Sequence, residues 1–261
     1  MGKPLKKPPV YFTLAQVRFN TILKIRDFLP SVQEGMRKAG FPVFSTRQTF
    51  VFQLAPPDGP EGAQSTPQEQ YFFTNTAKTH SFLLDVASLT LQSTQYGTFE
   101  DFSNRFLEGL TLVNEAIALD YSERVGVRYL DHVAPRKDDT LEQYLGPEVQ
   151  GLAQRLKGEP VHSYIEALNA IGNTQLRTRI FITKGGLAFP PELQPNGLEI
   201  EPRFSEEDGL HATVDTDGFV QERKPFSLDD IRKDFAAIHD AVNEAFYTIV
   251  TDYAREAWDT P

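Results

Sequence analysis

Val113-Asn114-Glu115-Ala116 recurs as Val242-Asn243-Glu244-Ala245, 242 − 113 = 129 residues later. At the same offset Thr98, Phe102 and Phe106 fall on Ser227, Ile231 and Phe235. Each tetrapeptide lies within an amphipathic pattern that has its own start signal. Thr98 is followed by Glu100 and Asp101, and Ser227 by Asp229 and Asp230. A hydroxyl at the cap accepts a bond from an orphan backbone N–H, and acids in the first turn suit the positive end of the helix dipole. Phe99, Phe102, Phe106, Leu110, Val113 and Ile117 then recur three and four residues apart, as do Leu228, Ile231, Phe235, Ile238, Val242, Phe246 and Ile249. That spacing lays one apolar stripe along a helix. The first helix is expected to end at Leu119 or Asp120, and the second to run to about Trp258.

Upstream of the first helix, Val10 to Phe19 reads as a strand, β-branched and aromatic, with Ala15, Val17 and Phe19 on one face and Leu14, Gln16 and Arg18 on the other. Phe28 to Lys38 reads as a helix with Pro30 in its first turn and Gly40 as its stop. Val43 to Leu54 is a strand. Ala55 to Gln68, rich in Pro, Gly and polar residues, is a long hairpin loop. Gln70 to Ala77 and Phe82 to Tyr96 are further strands, and Gly97 breaks the run before the helix.

The second half repeats the plan. Glu123 to Leu130 echoes the first strand, with Gln16-Val17-Arg18-Phe19 mapping onto Gly126-Val127-Arg128-Tyr129. Leu141 to Leu156 reads as a helix, with Pro147 marking a kink or a true start. Val161 to Ala170, Gln175 to Thr183, Leu198 to Phe204 and His211 to Glu222 are strands, and Lys184 to Gly197 is a loop. Two units of strand, helix, three or four strands and helix predict an α+β fold. The expected architecture is a tandem duplication. Residues 10–120 and 121–261 join in one curved antiparallel sheet with helices on one face, after a loose arm at 1–9. The order resembles the plan of the TATA-binding-protein saddle, in topology only.

Composition narrows the function. The chain of 261 residues is 40% hydrophobic and 11% aromatic, enough for a sizeable core. It has no cysteine, which excludes disulfides, thiolate metal ligands and cysteine nucleophiles. No apolar run reaches the roughly 18 residues of a membrane span, and the expected location is cytoplasmic. The net charge of −10 disfavours naked nucleic acid, whose binders usually carry a basic stripe.

Pro8-Pro9-Val10 leading to Val17-Arg18-Phe19, then Glu123 to Tyr129, then Val242-Asn243-Glu244-Ala245-Phe246 resemble a sporadically distributed family of uncharacterised bacterial proteins of this length. Glu123 to Tyr129 is the most specific piece, and the resemblance covers almost the whole chain. It supplies no activity and no catalytic residues. The patchy distribution of such genes implies an accessory role, as in phage defence or mobile elements.

Chemistry-bearing residues are scattered. His80, His132, His162, His211 and His239 form no metal-ligand pair in sequence. Asp215-Thr216-Asp217-Gly218 reads as a tight turn rather than a calcium loop. No metal, cofactor or catalytic residue is expected. The arginines are more informative. If Val17, Phe19, Val127 and Tyr129 pack under the helices, Arg18 and Arg128 face the other side, and Arg177 and Arg179 share a face of another strand. Phe50 and Phe52, with Tyr71 and Phe73, are expected to put large apolar groups on a sheet face that helices leave open. Cross-strand pairing with acids, and coverage by the chain's own loops, are the competing accounts. Aromatic anchors among arginines suit an interface. The expected function is therefore binding of a protein or ribonucleoprotein partner through the open sheet face. The alternatives are nucleic-acid binding by the arginine face, a small-molecule or enzymatic pocket between the two units, and a homodimer.

Overall fold

The computed structural model describes the backbone of residues 5–53, 64–205 and 209–259. In the first half, β1 (Val10–Phe19) leads to α1 (Ile25–Lys38), β2 (Val43–Gln53), β3 (Gln64–Thr74), β4 (His80–Leu84), β5 (Ser88–Ser93) and α2 (Phe99–Ile117). The second half holds β6 (Tyr121–Val133), α3 (Leu141–Tyr144), β7 (His162–Ile171), β8 (Thr174–Lys184), β9 (Leu210–Val220), the two-residue β10 (Lys224–Pro225), α4 (Leu228–Ile249) and α5 (Asp252–Asp259). The ten strands form one curved, antiparallel, unclosed sheet in the order β2-β3-β4-β5-β1-β6-β9-β8-β7, with β10 added beside β6. The fold is α+β. Outward from the central β1–β6 pair the order runs β5, β4, β3, β2 on one side and β9, β8, β7 on the other.

The caps form as their chemistry dictates. Thr98 Oγ1 accepts from the Asp101 N–H at 3.1 Å, and Ser227 Oγ from the Asp230 N–H at 3.2 Å. The repeated Asn then acts differently in the two copies. Asn114 ends α2: its carbonyl accepts from Ala118, which is left-handed at φ 58°, and its side chain accepts from the Leu119 N–H at 3.0 Å. Asn243 lies inside α4, which continues to Ile249. There Val250 turns extended and bridges Leu145, so the helix expected to reach Trp258 is two helices.

One face of the sheet carries all five helices. Ala15, Val17 and Phe19 of β1, Val125 and Val127 of β6, and Phe82, Leu89 and Leu91 are buried against the stripes of α2 and α4. Each such large side chain contributes about 1.5–3 kcal/mol on burial. A second cluster joins Ile180, Ile182, Ala212 and Val214 to α3 and α5 through Tyr144, Ala254 and Trp258. Two glycines set the close approach. A Cβ on Gly109 of α2 would meet the Phe82 ring at 2.3 Å, and one on Gly218 of β9 would meet Ile238 of α4 at 2.7 Å. Asp215 to Gly218 is therefore not a turn; it lies within β9, and Gly218 makes room for a helix.

Other expectations are also corrected. Phe82 to Tyr96 is two strands, because Asp85 accepts from the Ala87 N–H and from Ser88 to make a turn. The helix expected over Leu141 to Leu156 is α3 followed by 3-10 turns at Pro147–Val149 and Leu152–Arg155, as Gly146-Pro147 and Gly151 interrupt it. Leu198 to Phe204 is not a strand but part of a strap, described below. The loop expected at 55–68 lies partly outside the described residues, and its last five residues already belong to β3. No helix among the described residues is long and apolar enough to cross a membrane.

Candidate recognition face

Among the described residues no α-helix lies on the sheet's second face. On β1 it presents Leu14, Gln16 and Arg18; β5 adds Ser88, Thr90 and Gln92, paired in register with them. From β6 come Arg124, Gly126, Arg128 and Leu130, and from β9 Asp215, Asp217 and Phe219. Arg177 and Arg179 of β8 stand opposite Asp217 and Asp215. This is the face on which sequence parity places Arg18, Arg128, Arg177 and Arg179.

Half of it is covered. The segment 185–205, between β8 and β9, crosses the sheet as a strap. Leu187, Phe189, Leu193, Leu198, Ile200 and Phe204 pack on Tyr11, Phe12, Leu14 and Leu130. A register shift between Val10 and Phe12 places an extra residue in β1, so that Tyr11 and Phe12 both meet the strap. Tyr11 donates to the Ala188 carbonyl. At its far end the strap bonds Lys78, Thr94 and Gln92 through Glu199 and Asn196. Beneath it His132 and His211 lie ring to ring at 4.6 Å. Burial, then the neighbouring His211, pulls the His132 imidazole down to about 4.

Under the strap's edge the arginines are committed. Arg128, 6% exposed, forks onto Asp215 with two bonds of 2.6 Å and reaches Glu192 of the strap at 3.0 Å. Arg179 meets the same Glu192 at 2.7 Å, Glu166 at 3.1 Å and Asp215 at 3.7 Å. Burial pulls the Arg128 guanidinium down, but the bonds to Asp215 outweigh it and hold it above its ordinary value. Burial likewise raises the Asp215 carboxyl against the pull of both arginines; the bidentate geometry keeps the pair ionised. Burial is the largest single effect on Glu192 and raises it, but the bonds from Arg179, from its own backbone and from Arg128 together hold it at about 2.

Beyond the strap the balance changes. Arg18 and Arg124 are direct cross-strand partners. Arg18 is exposed, and among the described residues it makes no salt bridge. Arg124 lies 4.4 Å over the Phe219 ring, bonds Gln16 at 3.3 Å, and has one distant acid, Asp217 at 3.5 Å. Burial lowers its pKa, and Arg18, Arg177 and Arg128 push the same way against Asp217. Arg177 is half-buried on the other side of that aspartate. Of these three guanidiniums, Arg124 alone reaches a carboxylate among the described residues.

The remaining expected site residues are placed elsewhere. Tyr71 and Phe73, 2% and 0% exposed, point into the helix-side core, because register pairs them with Leu84 and Phe82. Phe72 takes the bare face instead, under the Arg47 guanidinium. Phe50 and Phe52 belong to β2, but their side chains are outside the described residues. Arg124 is the residue that sequence reasoning missed; its signal was there, in the same parity as Arg128 four residues on. Arg128 and Arg179 are not free for a partner, since buried acids and Glu192 occupy them.

On the helix face, Tyr96, Tyr129 and His239 form a chain of hydroxyl and ring contacts at 3.1 and 3.2 Å, and burial pushes the nearby Asp131 carboxyl up to about 8. Between α2 and α4 a depression of about 210 Å³ is lined by Phe99, Ser103, Asn104, Leu107, Arg232 and Phe235. It is smaller than the roughly 300 Å³ at which ligand sites begin. No group of three His or acidic residues among the described residues could hold a metal ion. Comparison of the chain with protein-family models, curated proteins and solved structures finds no match.

Proposed function

We propose that the protein is a non-enzymatic recognition module whose uncovered half-face docks an acidic segment of a protein or ribonucleoprotein partner. The observation that carries this is the Arg18–Arg124 pair. Like charges directly opposite one another destabilise a sheet, and here Asp217 is the one acid among the described residues within salt-bridge distance of Arg124, while Arg18 and Arg177 oppose its charge. A carboxylate or phosphate from outside would relieve that repulsion with planar, bidentate bonds. Phe219 beneath Arg124 adds the apolar floor that interface anchors use. The net charge of −10 opposes any polyanion at long range, and opposes a long nucleic-acid track more than a short acidic segment held at this one site. The family resemblance supports an accessory role in a phage-defence or mobile-element system.

The test uses the full chain with two labelled probes, an oligo-aspartate peptide and a single-stranded oligonucleotide. The peptide is expected to bind and to be lost in Arg18→Glu, a change at an exposed position that leaves the fold intact. Oligonucleotide affinity falling steeply with salt would favour the second reading, nucleic-acid binding by the same arginines. Binding of neither probe, with the same proteins captured from the native host by wild type and Arg18→Glu, would remove the proposed face.

A further inference from the structure

We infer that the β7 edge of the sheet is a self-association surface that pairs with β7 of a second copy. This goes beyond the arginine face and does not depend on it. Among the described residues β7 ends the strand order and is hydrogen-bonded on one side only, to β8. Its ten residues pair with β8 from His162–Thr183 to Ile171–Thr174 without a register shift, so the outer edge is flat and continuous. Among the described residues ten large hydrophobic side chains are exposed, and six of them lie within residues 152–171: Leu152, Leu156, Val161, Tyr164, Leu168 and Ile171. Val161 is 74% exposed and Leu168 57%.

Edges left open in solution are usually blunted by lysine, proline, an inward charge or a bulge. β7 has none of these. Its one acidic residue, Glu166, is already held by Arg179 at 3.1 Å and by the Tyr164 hydroxyl at 2.7 Å. The opposite edge, β2, carries Arg47 and follows Pro42. An apolar, unblunted edge marks an interaction site rather than a solvated surface.

Charge and register choose the occupant. Two copies of a chain at −10 repel one another over most orientations. At β7 the only acid is already paired, so the repulsion is least there. Antiparallel pairing about Glu166 sets the Glu166 carboxylates of the two copies opposite one another, each already neutralised by its own Arg179, with Tyr164 opposite Leu168 of the second copy and Ile165 opposite its Ala167. The register keeps each side chain on its own face, so the two bare faces continue on one side. A ten-residue strand spans about 33 Å. The two-fold arrangement closes after two copies.

Light scattering on the full chain is expected to give twice the 29.4 kDa chain mass. Tyr164→Lys and Leu168→Lys, both at exposed positions, are expected to return it to the monomer with an unchanged circular dichroism spectrum. Phe44→Lys on the other edge is expected to leave the dimer intact. The absence of cysteine makes crosslinking clean. Tyr164→Cys/Leu168→Cys places thiols across the pair at about 4.5–5.5 Å between Cα atoms, within disulfide range, and should give a covalent dimer on oxidation. A monomeric wild type, a dimer that survives both lysine variants, or open-ended assemblies would each overturn the inference.

Discussion

Arg18 and Arg128 hold matching places and have opposite surroundings. In the β1–β6 register Gln16 pairs with Gly126, and each arginine stands two residues beyond that pair in its own strand (18 − 16 = 2; 128 − 126 = 2). Both face away from the helices. The strand beyond β1 offers Ser88 beside Arg18, whereas the strand beyond β6 offers Asp217 opposite Arg128, with Asp215 on the same face two residues along. The strap then adds Glu192 to one and, among the described residues, no acid to the other. So Arg128 is a buried structural ion pair, and Arg18 an exposed cation facing another cation. Equal position along a strand does not give equal chemistry; the neighbouring strand and the covering segment decide it.

The largest effect is expected where that difference is removed from the covered side. Arg128→Met leaves Asp215, 1% exposed in its side chain, without its fork. Removing one member of a buried pair costs about 3–5 kcal/mol, read as a lower urea midpoint. Arg128→Met/Asp215→Leu should recover most of it, since no buried charge is then orphaned. Arg18→Met, at the matching place, should stay within about 0.5 kcal/mol of wild type. Equal losses at the two arginines would break the comparison.

Much of this was legible in the sequence, and the limit is physical. The caps at Thr98 and Ser227, the stripes behind them and the parity of Ala15, Val17 and Phe19 are local rules, and each appears as read. Parity along one strand also sent Arg18 and Arg128 to the bare face. It could not say which face of β3 meets the helices, because Tyr71, Phe72 and Phe73 are all aromatic and only the pairing with Phe82 and Leu84 decides. The strap was read as loop and strand. Its apolar residues Leu187, Phe189, Leu193 and Leu198 follow no period of two or 3.6, since they fit the surface beneath them rather than a repeating backbone. Glu192 is invisible for the same reason: its partners lie 13 and 64 residues away.

A pH experiment sharpens the contrast between covered and uncovered halves. His132 lies under the strap, its ring edge-on to Phe204 and beside His211. Its folded value of about 4 is below the ordinary 6.5. Below 6.5 the unfolded chain takes up a proton that the folded chain refuses. The stability is therefore present above pH 6.5 and lost as pH falls toward 4. His132→Phe should flatten the fall in thermal midpoint over that window relative to wild type. His80, also pulled to about 4 by burial, keeps its own share in both proteins. Asp131, raised to about 8, acts with the opposite sign, losing stability as pH rises from 3.8 through 8, and it too cancels in the difference. A variant as acid-sensitive as wild type would take the strap out of the account.

The smallest effect on stability is expected at Glu192, where the two regions meet. Its carboxylate is 48% exposed, and its bonds to Arg128 and Arg179 lie at the strap's rim. Fully exposed pairs contribute about 0–1 kcal/mol; here the arginines are buried, but each keeps a second acid, Asp215 or Glu166, so Glu192→Gln should move the urea midpoint far less than Arg128→Met. Electrostatically the change matters more, because it leaves one more positive charge uncompensated beside Arg124 and Arg177. Oligo-aspartate binding should then tighten and grow more salt-dependent. Glu192 would thus act as the strap's own acid, supplying to the covered arginines what Arg18 and Arg124 lack. Unchanged affinity in Glu192→Gln, together with loss in Arg18→Glu, would confine recognition to the uncovered end and make the strap's acid purely structural.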